Sequence, residues 1–73
     1  MILDIGKVDI AMAERQMRNS DLARAMKLSA PRTAALRMQI KHGRSLQPYV
    51  AGRLAAAMGK AVKELLADSE DAR

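Results

Sequence analysis

The side chains with the greatest chemical capacity in this chain are cationic, and they concentrate in its middle. Residues 16–53 carry a net charge of +7, whereas residues 1–15 and residues 54–73 each carry a net charge of −1. This distribution predicts a surface that binds a polyanion, although a solvated basic surface that aids solubility is an alternative with the same pattern. The central cations are Arg18, Arg24, Lys27, Arg32, Arg37, Lys41, Arg44 and Arg53.

Groups that catalyse reactions or bind metals are few in this sequence. The chain has no cysteine and one histidine, His42, and it lacks both a glycine-rich phosphate loop and a recognisable pair of carboxylates. We therefore expect no enzymatic activity, no metal site and no cofactor. Because Tyr49 is the only aromatic residue, base stacking on single strands or RNA loops is disfavoured.

The hydropathy pattern gives no indication of a membrane protein. No apolar run approaches the roughly 18 residues that a membrane span requires. The segment Met1–Gly6 is apolar, but it contains Asp4 and lacks the basic leader of a signal peptide. The absence of cysteine fits a reducing compartment. We therefore expect a cytoplasmic protein with no membrane partner.

Helical periodicity dominates the chain, because alanine is abundant and β-branched and aromatic residues are few. We predict an all-α fold, a five-helix bundle, in one domain over residues 1–67, with a disordered acidic tail over residues 68–73. The six methionines are expected to fill the core. The predicted helices run from about Asp4 to Gln16, Ser20 to Met26, Ala30 to the residue before Gly43, Pro48 to Met58, and Ala61 to Ala67.

The third predicted helix carries the strongest functional pattern. Ser29 is a natural N-cap, and Pro31 fits the first turn, where its missing amide hydrogen would be unpaired in any case. Thr33, Leu36 and Ile40 recur at positions i, i+3 and i+7, which predicts a buried stripe. The cationic side chains of this helix fall away from that stripe.

The segment from Met17 to Lys41 places a short helix, a three-residue turn and a longer basic helix in series. In a DNA-reading helix-turn-helix, the first helix lies across the backbone and the N-terminal end of the second helix enters the major groove. Such entry requires exposed small or polar residues at the start of the second helix, and Ala30, Pro31 and Arg32 occupy those positions. The pattern therefore predicts a central helix-turn-helix that binds double-stranded DNA.

Three pieces of sequence extend this interpretation to nearly the whole chain. They are LARAMKLS at residues 22–29, LAAAMG at residues 54–59 and KELL at residues 63–66. In this order and at these separations, they resemble the XRE-type helix-turn-helix family, which includes phage repressors, Cro proteins and many bacterial antitoxins and regulators. The resemblance covers roughly residues 5–67 and implies a DNA-binding domain of the phage-repressor type.

The resemblance implies roles for the residues at matching positions. A polar residue that opens the second helix would hold a phosphate, and here that residue is Asn19. The residues just after the turn would read bases, chiefly through Arg32, which can bond a guanine with two hydrogen bonds. Residues toward the end of the third helix and in the following loop would contact the DNA backbone. The full predicted DNA-binding set is Asn19, Ser29, Ala30, Pro31, Arg32, Ala35, Arg37, Lys41 and Arg44.

Three features depart from the family pattern. Ala30, Pro31 and Ala35 offer little hydrogen bonding, so direct readout would depend on Arg32 and on apolar contact with thymine methyl groups. Many members pair a buried arginine of the first helix with a glutamate of the third, but the matching positions here hold Met12 and Arg37. We therefore expect Arg37 to be free to face solvent or phosphate. Gly43 comes about one helical turn later than the usual end of the third helix, so that helix is either longer or followed by an irregular loop.

The resemblance implies a transcriptional regulator similar to a Cro-like repressor. Such a protein would bind a palindromic operator as a homodimer, because half-sites lie about one helical turn apart on the DNA. Val62, Leu65 and Leu66 are either core or dimer surface, and we expect a dimer surface. The alternative function is a protein-interaction module, such as an antitoxin, with a protein partner. Rising salt should weaken DNA binding steeply but should leave an apolar protein interface almost unaffected.

Overall fold

Four α-helices and a short 3₁₀ helix make up most of residues 1–68, the part of the chain that the computed structural model describes. The fold of that part is all-α, as predicted, and none of its helices is long and apolar enough to cross a membrane. Apart from Asp68, the predicted acidic tail lies outside the described residues. The elements are α1 (Ile5–Glu14), α2 (Asn19–Met26), α3 (Ala30–Lys41), α4 (Pro48–Ala57) and the 3₁₀ helix (Val62–Leu65).

The amides of the first turn of a helix have no partner within the helix. At the start of three helices, the sequence supplies either a side chain that accepts a hydrogen bond from such an amide or a proline that has no amide hydrogen. The Asp4 carboxylate accepts a hydrogen bond from the amide three residues later at 3.0 Å, and the Ser29 hydroxyl accepts the equivalent bond at 3.3 Å. Pro31 and Pro48 lie in the first turns of α3 and α4, where no intrahelical bond is lost. The observed starts of α1, α3 and α4 therefore lie within one residue of the predicted starts.

A single hydrophobic core joins these elements. Thr33 is the buried polar residue of the described part, and its hydroxyl donates to the Ser29 carbonyl at 3.0 Å, which satisfies the group. Three of the six methionines lie in this core, but Met1 is 40% exposed and Met38 is 47% exposed, so the prediction that all six fill the core is wrong for these two. The largest fully buried apolar side chains are Leu3, Val8, Leu22, Ile40, Leu54, Met58 and Leu65.

The fifth predicted helix is shorter and more tightly wound than expected. In place of an α-helix over about residues 61–67, the structure has a 3₁₀ helix at Val62–Leu65, followed by extended backbone at Leu66. The Ala67 amide donates to the Ile2 carbonyl at 3.0 Å instead of continuing a helix. Long-range pairing with the N-terminal segment, which includes an isolated antiparallel bridge, therefore overrides the local helical pattern.

Leu65 belongs to the core of a single chain. Its side chain is 1% exposed, while Val62 and Leu66 are partly buried against the same core. The expectation that Val62, Leu65 and Leu66 together form a dimer surface is therefore wrong for Leu65, because its own chain already encloses it. The other two side chains offer only part of their surface to a partner.

Asp21 fixes the start of α2. Its carboxylate accepts hydrogen bonds from the Arg18 amide at 2.8 Å and from Arg18 Nε at 3.3 Å, and Arg24 Nη1 lies 3.9 Å from Oδ1. These groups, with the Arg18 amide contributing most, hold the pKa of Asp21 below its ordinary value of 3.8. Because the native-state pKa is depressed, ionised Asp21 stabilises the fold at neutral pH, and this contribution is lost as the pH falls through the native-state pKa.

Replacing Leu65 by alanine should lower the free energy of unfolding by about 2–5 kcal/mol, because the truncation leaves a cavity in the core. The loss should be the same at low and high protein concentration, which urea titrations followed by circular dichroism will measure. Lys63→Ala removes an exposed neighbour and should change the stability by less than about 0.5 kcal/mol. A loss of unfolding free energy that depends on protein concentration would mean that Leu65 lies in a subunit interface.

Asp21→Ala should lower the melting temperature near pH 7. Its difference from the unsubstituted protein should shrink as the pH falls below about 4, the ordinary pKa of an aspartate, and through the depressed native-state pKa of Asp21. Thermal unfolding followed by circular dichroism over this pH range measures the difference. Ser20→Ala alters an exposed, uncharged neighbour and should give a difference that does not vary with pH. An equally large loss for Asp21→Ala at neutral and acid pH would contradict the role given to the charge.

Candidate nucleic-acid interface

The turn between α2 and α3 consists of three residues, Lys27, Leu28 and Ser29. Lys27 has left-handed backbone angles of φ 58° and ψ 40°, which cost a residue with a Cβ roughly 1–2 kcal/mol. The Leu28 amide donates to the Ala23 carbonyl at 2.9 Å and so closes the end of α2. Ser29 then caps α3. Each residue of the turn has a defined backbone role, and together they fix the direction in which α3 leaves α2.

The first turn of α3 lies on the surface. Ala30, Pro31 and Arg32 are all exposed, as are Ser29 before them and Ala35 one turn further on. The predicted base-reading residues are therefore accessible, while the opposite side of the helix holds it to the core. That buried side consists of Thr33, Leu36 and Ile40.

One flank of α3 borders a surface groove shared with the following loop and α4, which we call the α4-side groove. Arg32, Ala35 and Gln39 line it from α3. Two of these were predicted site residues, and Gln39 was not, although its i+4 spacing from Ala35 places it on the same flank. The opposite wall includes Ser45, Gln47, Tyr49 and Arg53.

The other flank of α3 borders a second groove, shared with α1 and the start of α2, which we call the α1-side groove. Three predicted phosphate ligands come together here, namely Asn19, Arg37 and Lys41. The groove therefore unites side chains that are far apart in the sequence. Its remaining lining residues are Ile5, Asp9, Ala34 and Met38.

Arg37 is engaged by a carboxylate within the chain. Its Nη2 donates to Oδ1 of Asp9 on α1, and its side chain is 32% exposed. The expectation that Arg37 is free to face solvent or phosphate is therefore wrong. The charges are reversed relative to the family pattern, since the acid lies on α1 and the arginine on α3. Asp9 lies one turn before Met12 on α1, and this spacing was the sequence signal available for the ion pair with Arg37.

Two polar atoms of the α1-side groove lack hydrogen-bond partners within residues 1–68. They are Nε of Arg37 and Oδ1 of Asn19, and both atoms are buried. Buried polar groups in proteins are nearly always hydrogen-bonded. The residues that line this groove therefore include one buried donor and one buried acceptor without a partner in the described part of the chain.

The structure defines where α3 ends. The helix ends at Lys41, Gly43 has a left-handed φ of 73°, and the Arg44 amide donates to the Gln39 carbonyl at 2.9 Å. The late position of Gly43 allowed either a longer third helix or an irregular loop, and the structure has the longer helix. Arg44 is exposed in the loop that follows, and it lines neither of the two grooves.

Arg53 ties α4 to the end of α2. Its Nη2 donates to the Met26 carbonyl, and its guanidinium carbon lies 5.8 Å from the centre of the Tyr49 ring. The dipole of α2 favours a cation at this end, and the aromatic ring adds a cation–π attraction. From the sequence, Arg53 was recognised only as one of the central cations. The i, i+4 spacing of Tyr49 and Arg53 on α4 was the signal for this contact.

Comparison with known proteins finds no matching family model, no matching curated protein and no matching solved structure. Membership of the XRE-type family therefore remains a proposal that depends on the residues quoted above. The chemistry of the two grooves follows from their own side chains.

Arg53→Ala should lower the free energy of unfolding by about 1 kcal/mol, because α2 loses both a hydrogen bond and a favourable charge at its last turn. Urea titration followed by circular dichroism measures the loss. Arg44→Ala removes the same charge from an exposed loop position and should change the stability by less than about 0.5 kcal/mol. Equal effects of the two substitutions would mean that the Met26 contact does not support α2.

Proposed function

We propose that this chain is a sequence-specific, double-stranded DNA-binding regulator of the XRE-type helix-turn-helix class, in which α3 enters the major groove. The observation that carries the proposal is that the exposed side of α3 has a cation on each flank. Arg32 and Lys41 are both exposed and are nine residues apart. At about 100° per residue, this separation makes them project from opposite flanks of the helix.

This arrangement suits the major groove of B-form DNA. The groove is about 12 Å wide, admits one α-helix and has a phosphate backbone along each edge. A helix with a positive charge on each flank is therefore attracted to both edges at once. Arg53 in the α4-side groove adds charge on the flank of Arg32, and Asn19 adds polar contact on the flank of Lys41.

The start of α2 supports a further phosphate contact. Asn19 is the first residue of α2 and is half-buried at the edge of the α1-side groove. The unpaired amides at a helix N-terminus carry partial positive charge and favour anions. Arg37 contributes less to DNA binding than its type suggests, because the Asp9 carboxylate already neutralises it. Contacts of this kind position a protein on DNA, while base contacts give specificity.

A homodimer on a palindromic operator is the form in which we propose that the protein acts. One domain of this size presents a single reading helix, and a two-fold pair places two such helices in successive major grooves. Repression by occlusion of polymerase, as by a Cro-like repressor in the cytoplasm, is the simplest activity for such a binder. The partly buried Val62 and Leu66 contribute at most the edge of the dimer contact.

Selection from a random pool of DNA duplexes tests this function. We expect an enriched consensus with two symmetric half-sites about 10 base pairs apart, and binding that weakens steeply as salt rises. Failure to enrich any sequence would overturn the proposal. Salt-insensitive binding to a protein partner in place of DNA would support the antitoxin-like alternative.

Arg32→Ala should cost about 1–3 kcal/mol at the selected site and relax the sequence preference, since a base contact is lost. Lys41→Ala should weaken binding to all sequences about equally and should reduce the slope of log affinity against log salt by about 1. Fluorescence anisotropy with selected and scrambled duplexes over a salt series separates the two effects.

Lys63→Ala is the matched control for both variants, because it removes one positive charge from an exposed position on the 3₁₀ helix, away from both grooves. It should leave discrimination unchanged. Undiminished discrimination by Arg32→Ala would mean that the bases are read from a different part of the chain.

A further inference from the structure

We infer that a shallow groove between α1 and residues 60–64, which contains Ile10, is the surface through which two copies of this chain associate. This inference rests on the proposed function, from which it takes the homodimer, and it names the contact that joins the pair. Because Leu65 is enclosed by its own chain, the dimer requires a surface other than the predicted one. We call this surface the Ile10 face, and it consists of Lys7, Ile10, Glu14, Lys60 and Glu64.

Ile10 is an apolar side chain that its own chain leaves uncovered. It is 62% exposed, more than any other large aliphatic side chain of residues 1–68. Val8 and Ala11, which flank it closely on α1, are buried in the core. Covering Ile10 with a second protein surface would remove it from water and is favourable. Single exposed apolar residues are common on monomers, so the charges around Ile10 decide whether it marks a contact.

The charges around Ile10 suit association with a second copy. The Ile10 face carries two cations and two carboxylates, and its net charge is therefore zero. Residues 16–53 carry a net charge of +7, so a contact built from that segment would bring like charges together. A two-fold contact presents the same surface from both chains. A face with equal numbers of both signs can therefore pair with itself, whereas the central basic surface cannot.

Two of the charged side chains already have partners within the chain. Lys60 Nζ lies 3.0 Å from Oε1 of Glu14, and Oε2 of Glu64 accepts a hydrogen bond from the Ala61 amide at 2.8 Å. These groups are therefore not left unpaired when a second copy excludes water, which limits the cost of burying charge. The Lys60 side chain is 28% exposed, so most of its methylene stem is packed and extends the apolar part of the face.

Association through the Ile10 face leaves α3 accessible. The face shares no residue with the α4-side groove or the α1-side groove. On α1, Asp9 lines the α1-side groove whereas Ile10 lines the Ile10 face, since successive residues of a helix project about 100° apart. One helix therefore borders both surfaces, and a second copy need not compete with DNA for Arg32 or Lys41.

The small size of the Ile10 face indicates a weak dimer. A standard stable interface buries roughly 800 Å² on each partner, and smaller contacts are typically transient. The Ile10 face offers one uncovered apolar side chain and its charged neighbours. We therefore expect a dissociation constant in the range of about 1–100 μM in free solution. Two adjacent half-sites on DNA would favour the pair by holding both copies close together.

Ile10→Lys tests the inference, because it places a like charge from each chain in the contact. Sedimentation equilibrium with the full chain, from about 1 to 500 μM, should show self-association that is at least about tenfold weaker in this variant. On a duplex with two half-sites, two copies of Ile10→Lys should bind without cooperativity. Thermal unfolding followed by circular dichroism should show that the variant folds, since Ile10 lies outside the core.

Ala56→Lys is the matched control. It adds the same charge at an exposed helical position that lines none of the three grooves, and it should keep both self-association and cooperativity. An equal loss in Ala56→Lys would overturn the inference, because charge alone would then explain the effect.

The outcomes separate this inference from the proposed function. Undiminished self-association of Ile10→Lys, or an unsubstituted chain that stays monomeric over the whole range and on DNA, would overturn the inference. Enrichment of a DNA consensus in the same circumstances would leave the regulator supported. If no DNA sequence is enriched but Ile10→Lys alone loses self-association, the proposed function fails and the Ile10 face stands as a contact between copies.

Discussion

The burial of one stripe of α3 determines what the rest of that helix presents. With about 3.6 residues per turn, fixing three side chains inside the core fixes the direction of every other side chain on the helix. Small and apolar residues then face outward, with Arg32 on one flank and both Lys41 and the paired Arg37 on the other. The buried set is Thr33, Leu36 and Ile40. Removing these side chains from the core would destabilise the protein, so α3 keeps a fixed orientation relative to the other helices.

Polar contacts refine this placement and also redistribute charge. The ion pair between Asp9 and Arg37 joins α1 to α3, and Arg53 joins α4 to the end of α2. Partly exposed ion pairs contribute only about 0–1 kcal/mol to stability, so their larger effect is on position and electrostatics. Because Arg37 is neutralised, the positive field around α3 is concentrated at Arg32 and Lys41.

The parts of the fold that depend on local sequence were predictable. Helix starts follow from capping groups and prolines, and the buried stripe follows from spacing, so α1, α3 and α4 begin where the sequence indicates. The parts of the fold that depend on distant partners were not predictable from the sequence. The 3₁₀ helix replaces a predicted α-helix because its flanking backbone bonds to the N-terminal segment, and the same packing encloses Leu65. The acid that engages Arg37 lies 28 residues away, and the one-turn spacing of Asp9 from Met12 was the only signal for this pair.

The pairing between the two ends of the described chain has a consequence for folding. Lys7 Nζ donates to the Leu66 carbonyl across 59 residues, beside the antiparallel bridge between Leu3 and Leu66. The entropy lost on closing so long a loop is recovered only when the rest of the core is already assembled. We therefore expect this pairing of the two ends to form late, after the helices have docked. The amides of Asp4 and Ala67 both bond across this pairing, so their hydrogens should exchange with solvent together, as one cooperative unit.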